Sequence, residues 1–400
     1  MSRDSLSNPP QQSQETTESS LITPSLSHNC TMSPIKDPSK TDENENTQDI
    51  HRTIAQINID SGSEEEEEVS DEEDANEPLP VEYPGTILPD NNQQQIESDK
   101  DLASQYPADS EYIDLIHLKI SSLEDLNLER FSNLQSLNLR QNLIDSITAV
   151  NTLPSTVEEL DLYDNRINHI SSSIKHLINL KDLDFSFNKI KTIKNIETLT
   201  NLENLYFVQN KIKVVQNLET LQKLTNLELG GNKIEVISET FHSLVNLEKL
   251  WLGKNKIQKF ENLDYLSNLK VLSIQSNRLT KIEGLDKLVN LTELYLSHNG
   301  IEKIENLEKN VNLEVLDVTS NRLEHLDNLS HLTKLTDFWC SYNKISSFEE
   351  IGKQLGKLPE LDVVYFEGNL VQLQNPTAYR RKLKLYLGPS LTKIDATYIQ

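Results

Sequence analysis

The chain of 400 residues contains few of the residues that cross-link or interrupt a fold: two cysteines, eleven glycines and two methionines. Cys30 and Cys340 lie in segments of different character, so the sequence offers no disulfide framework, and a reducing compartment fits this usage. No window approaches 18 consecutive apolar residues, and the N-terminal stretch MSRDSLSNPPQQSQ has no apolar core. We therefore expect a soluble intracellular protein.

Motifs that carry catalytic chemistry are missing as well. The sequence has no P-loop, no G-x-G-x-x-G, no H-E-x-x-H and no G-x-S-x-G pattern. The nine histidines are scattered, and His325 and His331 are not spaced like a pair of metal ligands. Acidic pairs such as Glu158-Glu159 lie on short segments without a cleft to desolvate them. We expect a protein that is not an enzyme and that has no metal site and no cofactor.

Negative charge is concentrated at the N-terminal end. Residues 1–106 hold 24 Asp and Glu against 5 Lys and Arg, which is −19 of the total net charge of −25. Such a segment, with the run GSEEEEEVSDEED at 62–74, cannot bury enough apolar surface to offset its ordering entropy, so we predict a disordered acidic tail over 1–106. The simplest role is solubility, and the balance of charge argues against binding nucleic acid. Candidate phosphorylation sites, before acidic residues or proline, are Thr23, Ser33, Ser61, Ser63 and Ser70.

The remaining chain is built around an asparagine that returns every 22 to 26 residues. A short L-x-L segment precedes each asparagine, and an I-x-x-I-like pair follows most of them, as in LTNLENLYFVQNKIKVV at 199–215. This pattern is typical of the shorter leucine-rich repeat and predicts an α/β solenoid of about 11 to 12 repeats over 107–374. The asparagines are Asn142, Asn165, Asn188, Asn210, Asn232, Asn255, Asn277, Asn299, Asn321, Asn343 and Asn369.

Each repeat predicts a short strand in a curved parallel sheet on the concave side, with mostly 3₁₀ turns on the convex side. We expect the asparagine amides to form a ladder that bonds the backbone of adjoining turns. The segment 114–126 reads as a degenerate first repeat with Leu118 at the asparagine position. Residues 375–400 are predicted to cap the other end, with Tyr379, Leu383 and Leu387 on one helical face.

The outward strand positions are the part of this scaffold that can carry specificity. Five of them are aromatic, four are acidic and none is basic. Large aromatic residues on an open sheet favour an interface whose partner is basic and has apolar pockets, although they can also simply stack on each other along the ladder. In order, the positions are Asn138, Asp161, Asp184, Tyr206, Glu228, Trp251, Ser273, Tyr295, Asp317, Trp339 and Tyr365.

The stretches LSIQSNRLTKIEGL (272–285), ELYLSHNGIEKIE (293–305) and DFWCSYN (337–343), and the ending NPTAYRRKLKLYLGPSLTKIDATYI, carry a resemblance to a known family. From residue 107 onward the chain resembles the protein phosphatase 1 regulatory subunit 7 family, whose concave face holds the phosphatase catalytic subunit. Tyr206 and Trp251 stand where that family commonly has phenylalanine, and Asp337 where it has glutamate. The resemblance implies partner contacts at Asp184, Tyr206, Glu228, Trp251, Asp317, Asp337, Trp339 and Tyr365.

The sequence therefore predicts a non-catalytic regulatory subunit of protein phosphatase 1, a monomer before it forms the complex. The resemblance further implies a nuclear and cytoplasmic location, a role in maturing or targeting the phosphatase, effects on chromosome segregation, and a phosphatase inhibitor as third partner. Two alternatives remain at this point: a cytoskeletal or axonemal adaptor, and a subunit for ribonucleoprotein assembly. The direction of the effect on the phosphatase, the isoform preference and phosphorylation of the tail stay open.

Overall fold

The computed structural model describes Asp99 and residues 102–399. All described residues belong to one unit of the chain, Asp90–Gln400. The acidic run 62–74, Cys30 and the candidate phosphorylation sites lie outside the described residues. The acidic tail therefore stays a prediction.

The described residues form one sheet of 14 strands whose spatial order is the order of the chain. The first twelve strands have three residues each and are parallel; β13 continues the parallel pairing, and β14 pairs antiparallel with it. The strands are β1 Tyr112–Asp114, β2 Ser136–Asn138, β3 Glu159–Asp161, β4 Asp182–Asp184, β5 Asn204–Tyr206, β6 Asn226–Glu228, β7 Lys249–Trp251, β8 Val271–Ser273, β9 Glu293–Tyr295, β10 Val315–Asp317, β11 Asp337–Trp339, β12 Val363–Tyr365, β13 Lys393–Ile394 and β14 Thr397–Tyr398. The prediction of a leucine-rich-repeat solenoid with a parallel sheet is confirmed.

The core follows from the alternation of side chains along each strand. The middle residue of a strand, such as Leu205 in β5 and Leu227 in β6, has no exposed surface, while its two neighbours face outward. The register pairs Leu205 directly with Leu227, so equivalent residues stack along the solenoid. Burying one such leucine stabilises the fold by about 1.5–3 kcal/mol.

The asparagine ladder forms as predicted. The buried Asn210 accepts a hydrogen bond at Oδ1 from the backbone N–H of Ile190 at 2.9 Å, and its Nδ2 donates to the carbonyls of Phe185 at 2.9 Å and Phe207 at 3.3 Å. One amide thus satisfies backbone groups of two consecutive repeats. In the first repeat Leu118 takes the asparagine position, and its N–H donates to Asn142 Oδ1 at 3.0 Å.

The convex side consists mainly of turns with 3₁₀-type hydrogen bonds. Repeats without a 3₁₀ helix close in the same way, as where the N–H of Leu199 donates to the carbonyl of Ile196 at 3.0 Å. The helix α1 (Phe348–Leu355) occupies the longest repeat and is capped at its N-terminus by Ser347, whose hydroxyl accepts from the N–H of Glu350. The 3₁₀ helices are Glu124–Leu126, Leu128–Arg130, Thr148–Thr152, Ser172–His176 and Glu239–Ser243.

Helical segments close the C-terminal end of the core. After the one-turn helix α2 (Leu370–Leu373), the helix α3 (Tyr379–Tyr386) packs on α1, and Tyr379, Leu383 and Leu387 are buried. The fit is close, because a Cβ on Gly352 of α1 would lie only 2.7 Å from Tyr386 Cδ1.

At the N-terminal end, residues 102–106, which the sequence assigned to the tail, contact the first repeats. Ala103 is fully buried, and Arg130 donates hydrogen bonds to its carbonyl and to that of Tyr106. The hydroxyl of Tyr106 in turn donates to the carbonyl of Asp114 at 2.6 Å.

Candidate binding face

The concave face carries two rows of outward side chains, because the first and third residues of each strand point away from the core. We call the third residues of β2 to β12 the concave row; they are the eleven positions from Asn138 to Tyr365 predicted above. Seven of the eight predicted contact residues lie in this row. The eighth, Asp337, is the first residue of β11, two residues before Trp339 on the same face. The structure therefore brings all eight together on one surface, and their role as contacts stays a prediction.

Aromatic rings form a continuous stack in the C-terminal half of the concave row. The ring centroids of Trp251 and Tyr295 are 6.5 Å apart, those of Tyr295 and Trp339 6.1 Å, and those of Trp339 and Tyr365 5.9 Å. The rings of Trp251 in β7 and Tyr295 in β9 meet across Ser273 of β8, because that residue is small. The rings of Tyr295 and Trp339 in β11 meet across the strand β10.

The stack corrects one expectation from the sequence. Tyr295 was expected as an exposed aromatic residue, but it has no exposed surface, and its hydroxyl donates a hydrogen bond to Glu293 Oε2 at 2.7 Å. It supports the two tryptophans from between them. Trp251, Trp339 and Tyr365 are only partly buried, so their outer faces remain accessible. Tyr295 therefore takes part in stacking alone, whereas Trp251, Trp339 and Tyr365 both stack and remain available to a partner.

A hydrogen-bonded group links Tyr206 to Trp251. Trp251 Nε1 donates to Asn226 Oδ1 at 3.2 Å, and Asn226 Nδ2 donates to the hydroxyl of Tyr206 at 3.3 Å. Asn226 is the first residue of β6, so it lies beside the concave row and was missed by the sequence analysis. Its position two residues before Glu228 was the available signal, because residues two apart in a strand share a face. The amide fixes the orientation of both rings around Glu228.

Burial raises the pKa of the carboxyl groups in the concave row. Glu228 is mostly buried, and desolvation is the main cause that raises its pKa to about 7, with Asn226 and Lys249 acting in the opposite direction and Asp184 adding to the rise. The pKa values of Asp184 and Asp317 are also raised by burial. Desolvation likewise raises the pKa of Tyr206 to about 12. The face thus holds acids that lack enough cationic neighbours to offset their burial.

Two of the predicted contact acids are held in place by their own backbone. Asp184 Oδ1 accepts from the N–H of Ser186 at 2.7 Å, and Asp317 Oδ1 accepts from the N–H of Thr319 at 2.9 Å. A carboxylate can accept further bonds through its other oxygen lone pairs. The backbone bonds therefore orient these two acids towards the face without using all of their capacity.

The geometry of this face suits recognition of another molecule's surface. Within the described part of the chain, no group of three or more His, Cys, Asp or Glu residues is arranged to hold a metal ion. Over the same residues, no helix has both the length and the apolar composition needed to cross a membrane.

The fold and this face define a leucine-rich-repeat protein with an acidic and aromatic concave surface. A family model for leucine-rich repeats in two copies matches residues 222–265, 267–309 and 289–332. An internalin (inlF) of Listeria monocytogenes has a similar fold, with a TM-score of 0.57 and 20% identity over 72% of this chain and 87% of that one. A leucine-rich-repeat protein of Leptospira interrogans aligns with a TM-score of 0.54 and 26% identity, over 66% of this chain and 73% of that one.

Sequence relatives give the particular family. A Saccharomyces cerevisiae protein named protein phosphatase 1 regulatory subunit SDS22 is 68% identical over 317 residues, which are 78% of this chain and 94% of that protein. A Schizosaccharomyces pombe protein with the same name is 53% identical over 97 residues, 24% of this chain and 27% of that protein. The chain belongs to the SDS22 family of protein phosphatase 1 regulatory subunits. The resemblance stated from the sequence is confirmed.

Proposed function

We propose that this chain is a non-catalytic regulatory subunit that binds the protein phosphatase 1 catalytic subunit through its concave face. Its binding would modulate the maturation, activity or targeting of the phosphatase. The relative that is 68% identical over most of the chain and is named a regulatory subunit of this phosphatase supports the partner. The observation that carries the choice of face is the accessible side of the stack Trp251–Tyr295–Trp339–Tyr365 beside the desolvated Glu228.

The face is prepared for a basic partner. The cost of removing Glu228 from water is already present in the free protein, as its raised pKa indicates. A lysine or arginine of the partner that approaches Glu228 forms a charge-assisted hydrogen bond with its carboxylate. Little further desolvation of Glu228 is needed for this contact. Trp251 and Trp339 supply flat apolar area next to these charges, which is the composition typical of interface hot spots.

The dimensions are sufficient for a stable complex. The eight contact residues extend from β4 to β12, which is about 38 Å at the usual spacing of about 4.8 Å between strands. A standard interface buries about 800 Å² on each partner. The nine strands place two outward side chains each on this strip, 18 residues in all, close to the about 20 to 30 residues that each side of such an interface contributes.

Further parts of the proposal rest on the family alone. We propose that the chain is a monomer before it binds the phosphatase and that an inhibitor protein of the phosphatase joins as a third partner. We also propose that it acts in the nucleus and cytoplasm and affects chromosome segregation.

The test is a calorimetric titration of the full chain with purified phosphatase 1 catalytic subunit. The double variant Trp251→Ala, Trp339→Ala should bind at least about 100-fold more weakly, because truncating a hot-spot tryptophan costs about 2 kcal/mol or more. Tyr265→Ala is the matched control, because Tyr265 is an exposed aromatic residue outside the concave row, and this variant should bind like the wild type. The far-ultraviolet circular dichroism of each variant verifies its fold.

Two results would contradict the proposal. The first is a folded wild type that does not bind the catalytic subunit. The second is a folded double variant that binds with wild-type affinity, which would place the contact elsewhere on the solenoid.

A further inference from the structure

A row of cations runs along the edge of the solenoid where the strands end. In eight repeats the residue directly after the ladder asparagine is Lys or Arg. All are exposed except Lys256, which is partly exposed. We call them the basic row: Arg166, Lys189, Lys211, Lys233, Lys256, Arg278, Arg322 and Lys344.

Backbone hydrogen bonds hold this row in register. The N–H of Lys211 donates to the carbonyl of Ile190 at 2.9 Å, and Lys233 and Lys256 make the equivalent bonds to the preceding repeats at 2.9 and 2.8 Å. The backbone of each of these residues therefore occupies the same position in its repeat. At about 4.8 Å per strand, the eight steps from Arg166 to Lys344 cover about 38 Å.

The single interruption is Gly300, in the repeat between Arg278 and Arg322. A Cβ on Gly300 would lie 3.8 Å from Cζ of Arg322, so the guanidinium of Arg322 lies over this glycine. The positive charge thus extends across the gap.

Few close ion pairs involve these cations. Of the basic row, as far as the described residues show, Lys344 alone has an ion pair within 4.0 Å, with Glu324 at 3.0 Å. The edge where the strands begin is different: there Lys181 pairs with Glu158 at 2.6 Å and Lys270 with Glu248 at 2.7 Å. Charges alternate and pair on one edge of the sheet, whereas like charges accumulate on the other.

We propose that the basic row docks an extended acidic polypeptide segment of a partner protein. At about 3.3 Å per residue, a segment of about 12 residues matches the length of the row. Val214 and Val236, both 55% exposed, lie three residues after Lys211 and Lys233 and offer apolar contacts to such a segment. This surface is separate from the concave row, so one solenoid can hold the phosphatase and an acidic segment at the same time.

The observations favour a polypeptide over a nucleic acid. The next outward position along the chain is mixed, with Lys191 and Lys213 in two repeats but Glu235, Glu302 and Glu324 in three others, so the positive strip is narrow. A broad polyanion would meet these carboxylates.

The test is fluorescence anisotropy of labelled dodecaglutamate titrated with the full chain at low salt. Saturable binding is expected, weakening as salt rises because exposed charges are screened. The triple variant Lys211→Glu, Lys233→Glu, Lys256→Glu should bind dodecaglutamate at least about tenfold more weakly than the wild type. The control Lys223→Glu, Lys287→Glu, Lys334→Glu makes the same change in net charge at exposed sites outside the basic row and should retain most of the affinity.

Three outcomes would overturn the inference: no binding of dodecaglutamate at low salt, equal losses in the two triple variants, or tighter binding of an oligodeoxythymidine of matched length. The basic-row variant should bind the phosphatase catalytic subunit like the wild type. Failure of this inference therefore remains distinguishable from failure of the proposed function.

Discussion

Glu228 should make the free protein less stable at alkaline pH. Its ordinary pKa of 4.5 is raised to about 7 in the folded state, mainly by burial. The folded state therefore holds this proton more tightly than the unfolded chain does. Stability falls as the pH rises from about 4.5 to about 7, and the loss is complete above that range. At about 1.4 kcal/mol for each pKa unit, the loss is about 3 kcal/mol.

The substitution Glu228→Gln isolates this effect, because glutamine has nearly the same shape and stays neutral. Urea unfolding of the full chain should show the variant to be more stable than the wild type by up to about 3 kcal/mol at pH 8, and nearly equal to it at pH 4. Glu235→Gln, at an exposed position in the same repeat, is the control and should change little at either pH.

The same substitution should weaken binding of the phosphatase. A partner cation beside Glu228 favours the charged carboxylate, so complex formation releases a proton near neutral pH, and wild-type affinity should rise from pH 6 to pH 8. The variant should lose both this pH dependence and part of its affinity. The reasoning is refuted if Glu228→Gln fails to stabilise the protein at pH 8, or if Glu235→Gln has the same effect on stability.

Three further substitutions or modifications test the scaffold. Asn232→Ala leaves buried backbone groups of two repeats without partners and should lower the free energy of unfolding in urea by about 2 to 5 kcal/mol. Gln258→Ala, at an exposed position, should cost almost nothing, and equal effects of the two substitutions would contradict the role of the asparagine ladder. Leu383→Ala should open the C-terminal cap at a cost of about 2 to 5 kcal/mol, and an unchanged urea midpoint would show that the cap carries little stability. In a Cys30→Ser background, Cys340 should resist thiol reagents until the chain unfolds, because burial excludes reagent and raises its pKa; rapid labelling of the native protein would contradict this.

The repeat frame could be predicted from the sequence because each repeat obeys the same constraint. A unit of 22 residues that cannot bury its own leucines must stack on its neighbours, and the amide of a residue such as Asn210 then meets backbone groups at a fixed place. The face on which each strand residue lies could be predicted as well, because side chains alternate along a strand and so put the adjacent residues Leu205 and Tyr206 on opposite faces. The long last repeat was visible as an interval of 26 residues, but its filling by the helix α1 was not.

Contacts between side chains on different strands of the face could not be predicted in the same way. The exposure of Tyr295 depends on how closely two tryptophans approach it across neighbouring strands, which is a property of packing and not of periodicity. The amide of Asn226 is placed between Tyr206 and Trp251 by rotamers that the sequence does not specify. The raised pKa of Glu228 depends on the same packing. These features distinguish this face from that of a generic repeat protein.

The central claim is that the concave row contacts the phosphatase catalytic subunit, and site-specific photocrosslinking tests it most directly. A benzophenone side chain would replace Tyr206, Tyr365 or, as the control on another surface, the exposed Tyr265, each in the full chain mixed with the catalytic subunit. The account predicts covalent adducts from positions 206 and 365 and none from position 265. Adducts from position 265 alone, with none from either position in the concave row, would contradict it.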